Sequence, residues 1–219
     1  MTNINKTNMH KALDSIVKAV DNVKELYTIF TKGDTAVFMI DMLDDFHTGA
    51  LGNKYVDYII EPMKEFLQNA KKNNVVVNAV NDAHTEESIE FETFYKHSII
   101  GTDGANIIAD LREIEFDNVF YKNSTNGFHN QDVVNWLNEN KQITKIVVIG
   151  VLTDMCVFQF ALNLKTYCNQ INRHMEVIIP TNLVETSEYE GHNRELFSYM
   201  SLEFMRQAGI NVVKEVNFT

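Results

Sequence analysis

Ile146-Val147-Val148-Ile149 is an unbroken apolar run, and a strand that presents apolar side chains to both sides needs helices packed over each of its faces. A sheet with one face in water is ruled out. From residue 35 onward, similar short β-branched runs alternate with amphipathic segments. The strand candidates are 36–41, 75–80, 118–121, 145–150, 176–179 and 210–213. Helix candidates fill the gaps at 62–72, 105–112, 131–138, 155–168 and 192–207, with Pro62 expected as a first helical residue, where its missing N–H costs nothing. This alternation predicts an α/β fold: an open, mostly parallel sheet with helices on both faces.

Residues 1–33 read as an N-terminal helical extension and 34–219 as a single domain. Met9, Leu13, Ile16, Val20, Val23, Tyr27 and Phe30 step alternately by four and three, which makes a seam along one helix face. That helix is expected to pack on the domain body, with an oligomer contact as the alternative. At 219 residues and 45% hydrophobic composition, the chain can bury a core without a disulfide or metal to hold it. Its formal net charge of −11, with no basic patch, repels phosphate backbones, so no nucleic-acid partner is expected. No apolar run approaches the roughly 20 residues of a membrane helix. Lys6, Lys11, Asp14 and Lys18 interrupt any signal-like core, so the expectation is a cytoplasmic protein with no membrane partner and with Cys156 and Cys168 as thiols.

Open parallel sheets bind ligands beyond the carboxyl ends of their strands, so the residues there are the functional candidates. They are Asp41, Asp82 with His84, Tyr121-Lys122, the run from Gly150 to Cys156, and Pro180-Thr181. Cys156 falls at the start of a predicted helix, where free N–H groups and the helix dipole favour a thiolate. Asp41 would accept the thiol proton, Lys122 would hold that carboxylate, and N–H groups around Leu152 and Cys156 would face a carbonyl oxygen under attack. Taken singly, each has a plainer alternative: a buried apolar cysteine, a helix N-cap, an exposed strand-end lysine. Cys168 is expected to be such a buried cysteine. A second constellation, Asp82, His84, Glu90, Glu92 and His97, suits a divalent metal such as zinc, iron or manganese, against the alternative of a solvated polar loop. His10, His47, His174 and His192 are assigned surface or capping roles, and His129 a place near the cleft.

The segment from Phe38 to Phe46, FMIDMLDDF, then Lys122, then Gly150-Val151-Leu152-Thr153-Asp154-Met155-Cys156-Val157 resemble the isochorismatase-like cysteine hydrolases over about residues 35–213. The resemblance implies a catalytic triad of Asp41, Lys122 and Cys156, a cis peptide between Val151 and Leu152, a six-stranded sheet with helices on both sides, and a homo-oligomer. Cysteine at 156 argues against the isochorismate-cleaving branch. Asp82, His84 and His97 ahead of Gly101-Thr102-Asp103-Gly104 resemble the nicotinamidase branch, which implies a metal held by those three, by Glu90 seven residues before His97, or by Glu92 as fallback. Ala83, Leu43, Phe94-Tyr95-Lys96 and Asn182-Leu183 depart from that branch. The wall against a substrate ring would come from Phe46, Tyr95, Phe128 or Trp136. The implied activity is hydrolysis of nicotinamide or a similar heteroaromatic amide such as pyrazinamide. Alternatives are a carbamoyl or maleamate-type amidase, with Asp82 and His84 only binding substrate, and a non-catalytic scaffold joined through the N-terminal helix.

Overall fold

The apolar run at 146–149 lies in the middle of a parallel sheet, and all four side chains are fully buried. The computed structural model describes residues 6–28 and 33–218. In chain order its elements are α1 (Lys6–Asp21), β1 (Leu26–Thr28), β2 (Thr35–Ile40), α2 (Asp44–His47), α3 (Asp57–Lys72), β3 (Val76–Asp82), β4 (Asn118–Lys122), α4 (Gln131–Glu139), β5 (Lys145–Val151), α5 (Cys156–Gln170), β6 (Glu176–Pro180), β7 (Val184–Glu185), α6 (Arg194–Gln207), β8 (Asn211–Val213) and β9 (Val216–Phe218). The sheet runs β4-β3-β2-β5-β6-β8, every pairing parallel, and the short β7 adds a seventh strand against the end of β5 where the resemblance implied six.

Alternate side chains of the central strands feed two separate cores. Val37, Met39, Val147 and Ile149 pack with Met63 and Leu67 of α3. Phe38, Ile40, Ile146 and Val148 pack with Phe160 and Leu164 of α5 on the other face. Chain order reverses between β2 and β5, so the crevice beyond their ends is the switch point where open sheets bind ligands. There Gly150 has φ 115°, and a Cβ on it would lie 2.1 Å from the carbonyl oxygen of Ile40. Only glycine permits that conformation and that closeness at once.

Three expectations are corrected. Pro62 is inside α3, not at its start. The helix begins at Asp57, so the bond that Pro62 cannot make is to the carbonyl of the exposed Tyr58, which solvent can satisfy. The helix expected at 105–112 is replaced by 3-10 turns at Asp103–Ala105 and Ala109–Leu111. Extended pairing wins there: Asp44 N–H donates to Asn106 O at 2.9 Å, Ile108 N–H to Met42 O at 3.0 Å, and Leu43 bridges Ile107. At the N-terminus, α1 ends at Asp21, Tyr27 belongs to β1 paired with β9, and Phe30 lies outside the described residues. The helical seam therefore stops at Val20, which is buried, while the Tyr199 hydroxyl of α6 donates to Asp21 at 2.7 Å. Among the described residues no helix is long and apolar enough to cross a membrane.

Candidate functional site

Asp41 is the first residue beyond β2, and its backbone turns to φ 51° as the chain leaves the sheet. The carboxylate is wholly buried, and its Oδ1 accepts from Asp82 N–H at 2.8 Å. Lys122 ends β4 and sends its ammonium between two acids, 2.8 Å from Asp41 Oδ2 and 2.5 Å from Asp82 Oδ1. Gly127 leaves room for that lysine stem, since a Cβ there would stand 3.2 Å from its Cδ and 2.5 Å from Val80. Cys156 opens α5 with its sulfur 3.8 Å from Lys122 Nζ, and the sulfur and one oxygen from each of Asp41 and Asp82 lie within 4.8 Å of one another.

The electrostatics follow from one ammonium facing two buried carboxylates and a thiol. Burial, with the charge of Asp82 added, pushes the Asp41 carboxyl up to about 6 against the pull of Lys122. For Asp82, burial acts upward too, but Lys122, His84 and His97 outweigh it and hold its carboxyl well below the usual range. Lys122 is desolvated, yet Asp41, Cys156 and Asp82 together keep it firmly an ammonium. Burial pushes the Cys156 thiol well above its ordinary value despite Lys122. Desolvation thus opposes the thiolate that the helix start favours, which leaves a role for a base such as Asp41. In the turn before α5, the Val151–Leu152 peptide is cis. Among the described residues, the backbone N–H groups of Leu152 and Cys156 meet no backbone acceptor.

Asp82 also faces away from Lys122, toward two imidazoles. His84 Nε2 is 3.3 Å from its Oδ1 and His97 Nε2 is 3.4 Å from its Oδ2, with all three side chains buried. Each ring is fixed from behind: His84 Nδ1 lies 2.9 Å from Asn123 Oδ1, and His97 Nδ1 lies 2.7 Å from the Tyr95 carbonyl. Acceptors at both Nδ1 atoms put the ring protons there and leave the Nε2 lone pairs aimed at a carboxylate. Asp82 Oδ2 and His84 Nε2 accordingly have no hydrogen-bond partner among the described residues. Burial would lower the His84 pKa, but Asp82 raises it on balance; the carboxylate that favours a proton there favours a cation equally. Two imidazoles and a carboxylate, with ligand atoms within 4.8 Å of one another, fit a borderline divalent metal and leave coordination positions open.

Several predicted residues converge here and several do not. Asp41, Lys122, Cys156, Asp82, His84 and His97 meet in one crevice, and the Phe46 ring stands edge-on to His97 at 5.3 Å. Glu90 is not among the three residues whose ligand atoms cluster; its Oε2 accepts from Thr125 N–H at 3.0 Å, while its buried Oε1 has no hydrogen-bond partner among the described residues. Glu92 is exposed on the same short turn. Tyr95 contributes its carbonyl, while its side chain is 83% exposed and walls nothing. Phe128 and Trp136 are core residues, packed on Phe160 and Phe38 respectively, because the two-sided sheet draws aromatics under α4 and α5. His47 pairs with Asp57, and His192, assigned a surface or capping role, is buried against Asp154. His10, His129 and His174 are exposed.

Two residues at the site were not foreseen. Phe91 meets both His84 and His97 edge-on, at 5.2 and 5.7 Å. Its signal is an apolar residue between Glu90 and Glu92. Asp45 ties the loop behind His97 to α2, its Oδ2 accepting from Ser98 N–H at 2.6 Å and its Oδ1 from Ala50 N–H at 2.9 Å. Beside Asp82 and Lys122 opens a cavity of about 500 Å³, lined also by Ala83, Ile100, Asn106 and Asn123, a volume suited to a small molecule.

A family model for the isochorismatase domain matches residues 35–214. Nicotinamidase 1 of Arabidopsis thaliana is 24% identical over 95% of this chain and 98% of its own length. An uncharacterized isochorismatase family protein, PncA of Bacillus subtilis, is 29% identical over 72% of this chain and 89% of its own. Among solved structures, the pyrazinamidase of Pyrococcus horikoshii in complex with zinc aligns with a TM-score of 0.68 at 26% identity, covering 83% of this chain and 99% of that one. The N-carbamoylsarcosine amidase of Thermoplasma acidophilum aligns with a TM-score of 0.67 at 24% identity, covering 83% of this chain and 96% of that one.

Proposed function

This chain belongs to the isochorismatase family, and on that premise we propose that it is a metal-assisted cysteine amidase that hydrolyses nicotinamide, or a similar heteroaromatic amide such as pyrazinamide, to the acid and ammonia. One observation carries the reading: Asp82 is shared between an acid–ammonium–thiol cluster and a pair of imidazoles whose lone pairs face it. The nicotinamidase relative and the zinc-bound pyrazinamidase support the same substrate class.

In this mechanism Asp41, ionised above about 6, takes the proton of Cys156 as the sulfur attacks the carboxamide carbon. Lys122 keeps its ammonium between the acids, orienting Asp41 and offsetting the charge that develops on sulfur. The N–H groups of Leu152 and Cys156 donate to the tetrahedral oxyanion. Asp41 passes its proton to the leaving nitrogen, and ammonia departs from a thioester. Asp41 then deprotonates a water that attacks the acyl carbon, and the sulfur recovers its proton as the acid leaves. Asp82, His84 and His97 would hold the metal, zinc foremost, which when bound offers a Lewis-acidic anchor for a ring nitrogen. Phe46 and Phe91, which flank the imidazoles, provide the apolar wall.

A second reading, an amidase for a carbamoyl or maleamate-type amide, is favoured by one feature. Tyr95, Phe128 and Trp136 do not wall the crevice, and Ala83 brings no ring to it. An ammonia-release screen over nicotinamide, pyrazinamide, carbamoyl and small aliphatic amides, run with elemental analysis of the purified protein, tests both. Turnover of the heteroaromatic amides with about one metal per site supports the first reading. Turnover of carbamoyl amides alone supports the second, and no ammonia from any amide overturns both.

A further inference from the structure

An aspartate can turn its carboxylate onto the free backbone N–H two residues on, an Asx-turn that would here take the Cys156 N–H at the start of α5. Asp154 does not. The residue before α5 makes no side-chain cap, and both Asp154 oxygens are engaged elsewhere: Oδ1 by the Thr186 hydroxyl and Oδ2 by His192 Nε2 at 2.7 Å. His192 is fixed in turn by the Ser187 carbonyl, 2.9 Å from its Nδ1, and by Phe197 and Tyr189, whose rings stack on its faces at 4.1 and 4.6 Å. The same segment takes Thr153 N–H on the Glu185 carbonyl at 3.0 Å, and Arg194 grips the Glu185 carboxylate at 2.6 and 2.9 Å. Side chains of Asp154 and His192 are 7% and 5% exposed. This assembly contains no candidate ligand of the metal and no member of the acid–ammonium–thiol cluster.

We propose that His192, with Thr186, is a positioning residue that holds the Asp154 carboxylate away from the first turn of α5. Freed from His192, that carboxylate would swing onto the Cys156 N–H, removing an oxyanion donor and bringing a negative charge beside the sulfur. The role rests on Cys156 being the nucleophile of the proposed reaction, and it predicts a sign that a purely structural clamp does not produce: removing Asp154 as well should restore what loss of His192 takes away.

The test uses full-length protein and the variants His192→Ala, His192→Gln, Asp154→Ala and Asp154→Ala with His192→Ala. Iodoacetamide alkylation is followed at Cys156 by peptide mass, beside kcat, KM, metal content and a thermal melt. H192A should slow alkylation and lower kcat by ~10- to 100-fold, with KM and metal content little changed. H192Q, which keeps an N–H for Asp154, should lose less. The double variant should recover most of the alkylation rate even where it melts lower than H192A. A double variant as slow as H192A, or an H192A of unaltered alkylation, overturns the proposal. If H192A does not fold, the same decision falls on H192Q and on D154A with H192Q. Alkylation needs no amide, so a chain that turns over no amide yet shows this rescue loses the amidase reading and the oxyanion role with it, but keeps His192 as the residue that holds the Asp154 charge away from the Cys156 sulfur.

Discussion

On one side of Asp82 the buried charges are answered by protein: Lys122 lies within 2.8 Å of both carboxylates and 3.8 Å of the sulfur. On the other side two imidazole lone pairs and a carboxylate oxygen converge with no positive side chain between them among the described residues. The first half is complete once the chain folds. The second has the form of a cradle whose last member is a cation. On the proposed mechanism, assembly of the nucleophile and loading of the metal are therefore separable events that share one carboxylate.

The sharpest way to break that division is Cys156→Ala, which should drop ammonia release by ~10⁴-fold or more while elemental analysis finds the metal still bound. His84→Ala attacks the other half. It should lose the metal and ~100-fold in kcat/KM, and added zinc should raise the melting temperature of the wild type but not of this variant. An unchanged metal stoichiometry would remove the cradle as drawn. Between these lies a pH effect: a protonated Asp41 cannot accept the thiol proton, so kcat/KM should fall about tenfold per unit as pH drops below about 6 and level off above it. Retained activity at a pH of about 4.5 would take the base role from Asp41. Asn123→Ala, which frees Nδ1 of His84, should weaken metal affinity by ~10-fold, measured by competition with a chelator. Glu90→Gln should change that affinity least, under about threefold, since its Oε2 serves the Thr125 N–H and it stands outside the three clustered ligand groups; a larger loss would return Glu90 to the ligand set.

Much of this centre is legible in the amino-acid sequence, because strand ends at a switch point are fixed by local patterning: Asp41, Asp82, Lys122 and Cys156 each lie at or just beyond the end of an apolar run. The features that are not legible depend on partners far apart in the chain. Asp45 reaches Ser98 across 53 positions, and Asp154 reaches His192 across 38, with no local periodicity to mark either pair. The helix expected at 105–112 failed for a related reason: its alternation of small and apolar residues is satisfied equally by an extended stretch, and pairing with Met42, Leu43 and Asp44 decided the outcome. Tyr95 and Phe128 show the limit of residue type as a guide. An aromatic near the site in sequence faced solvent in one case and the core in the other.

Gly150 carries a last consequence. With 2.1 Å between its would-be Cβ and the Ile40 carbonyl, even one methyl would act as a wedge between the two strands, and the residues that follow them are Asp41 on one side and the run toward Cys156 on the other. The gap that the proposed proton transfer would cross from sulfur to carboxylate is thus gauged by an atom that is not there.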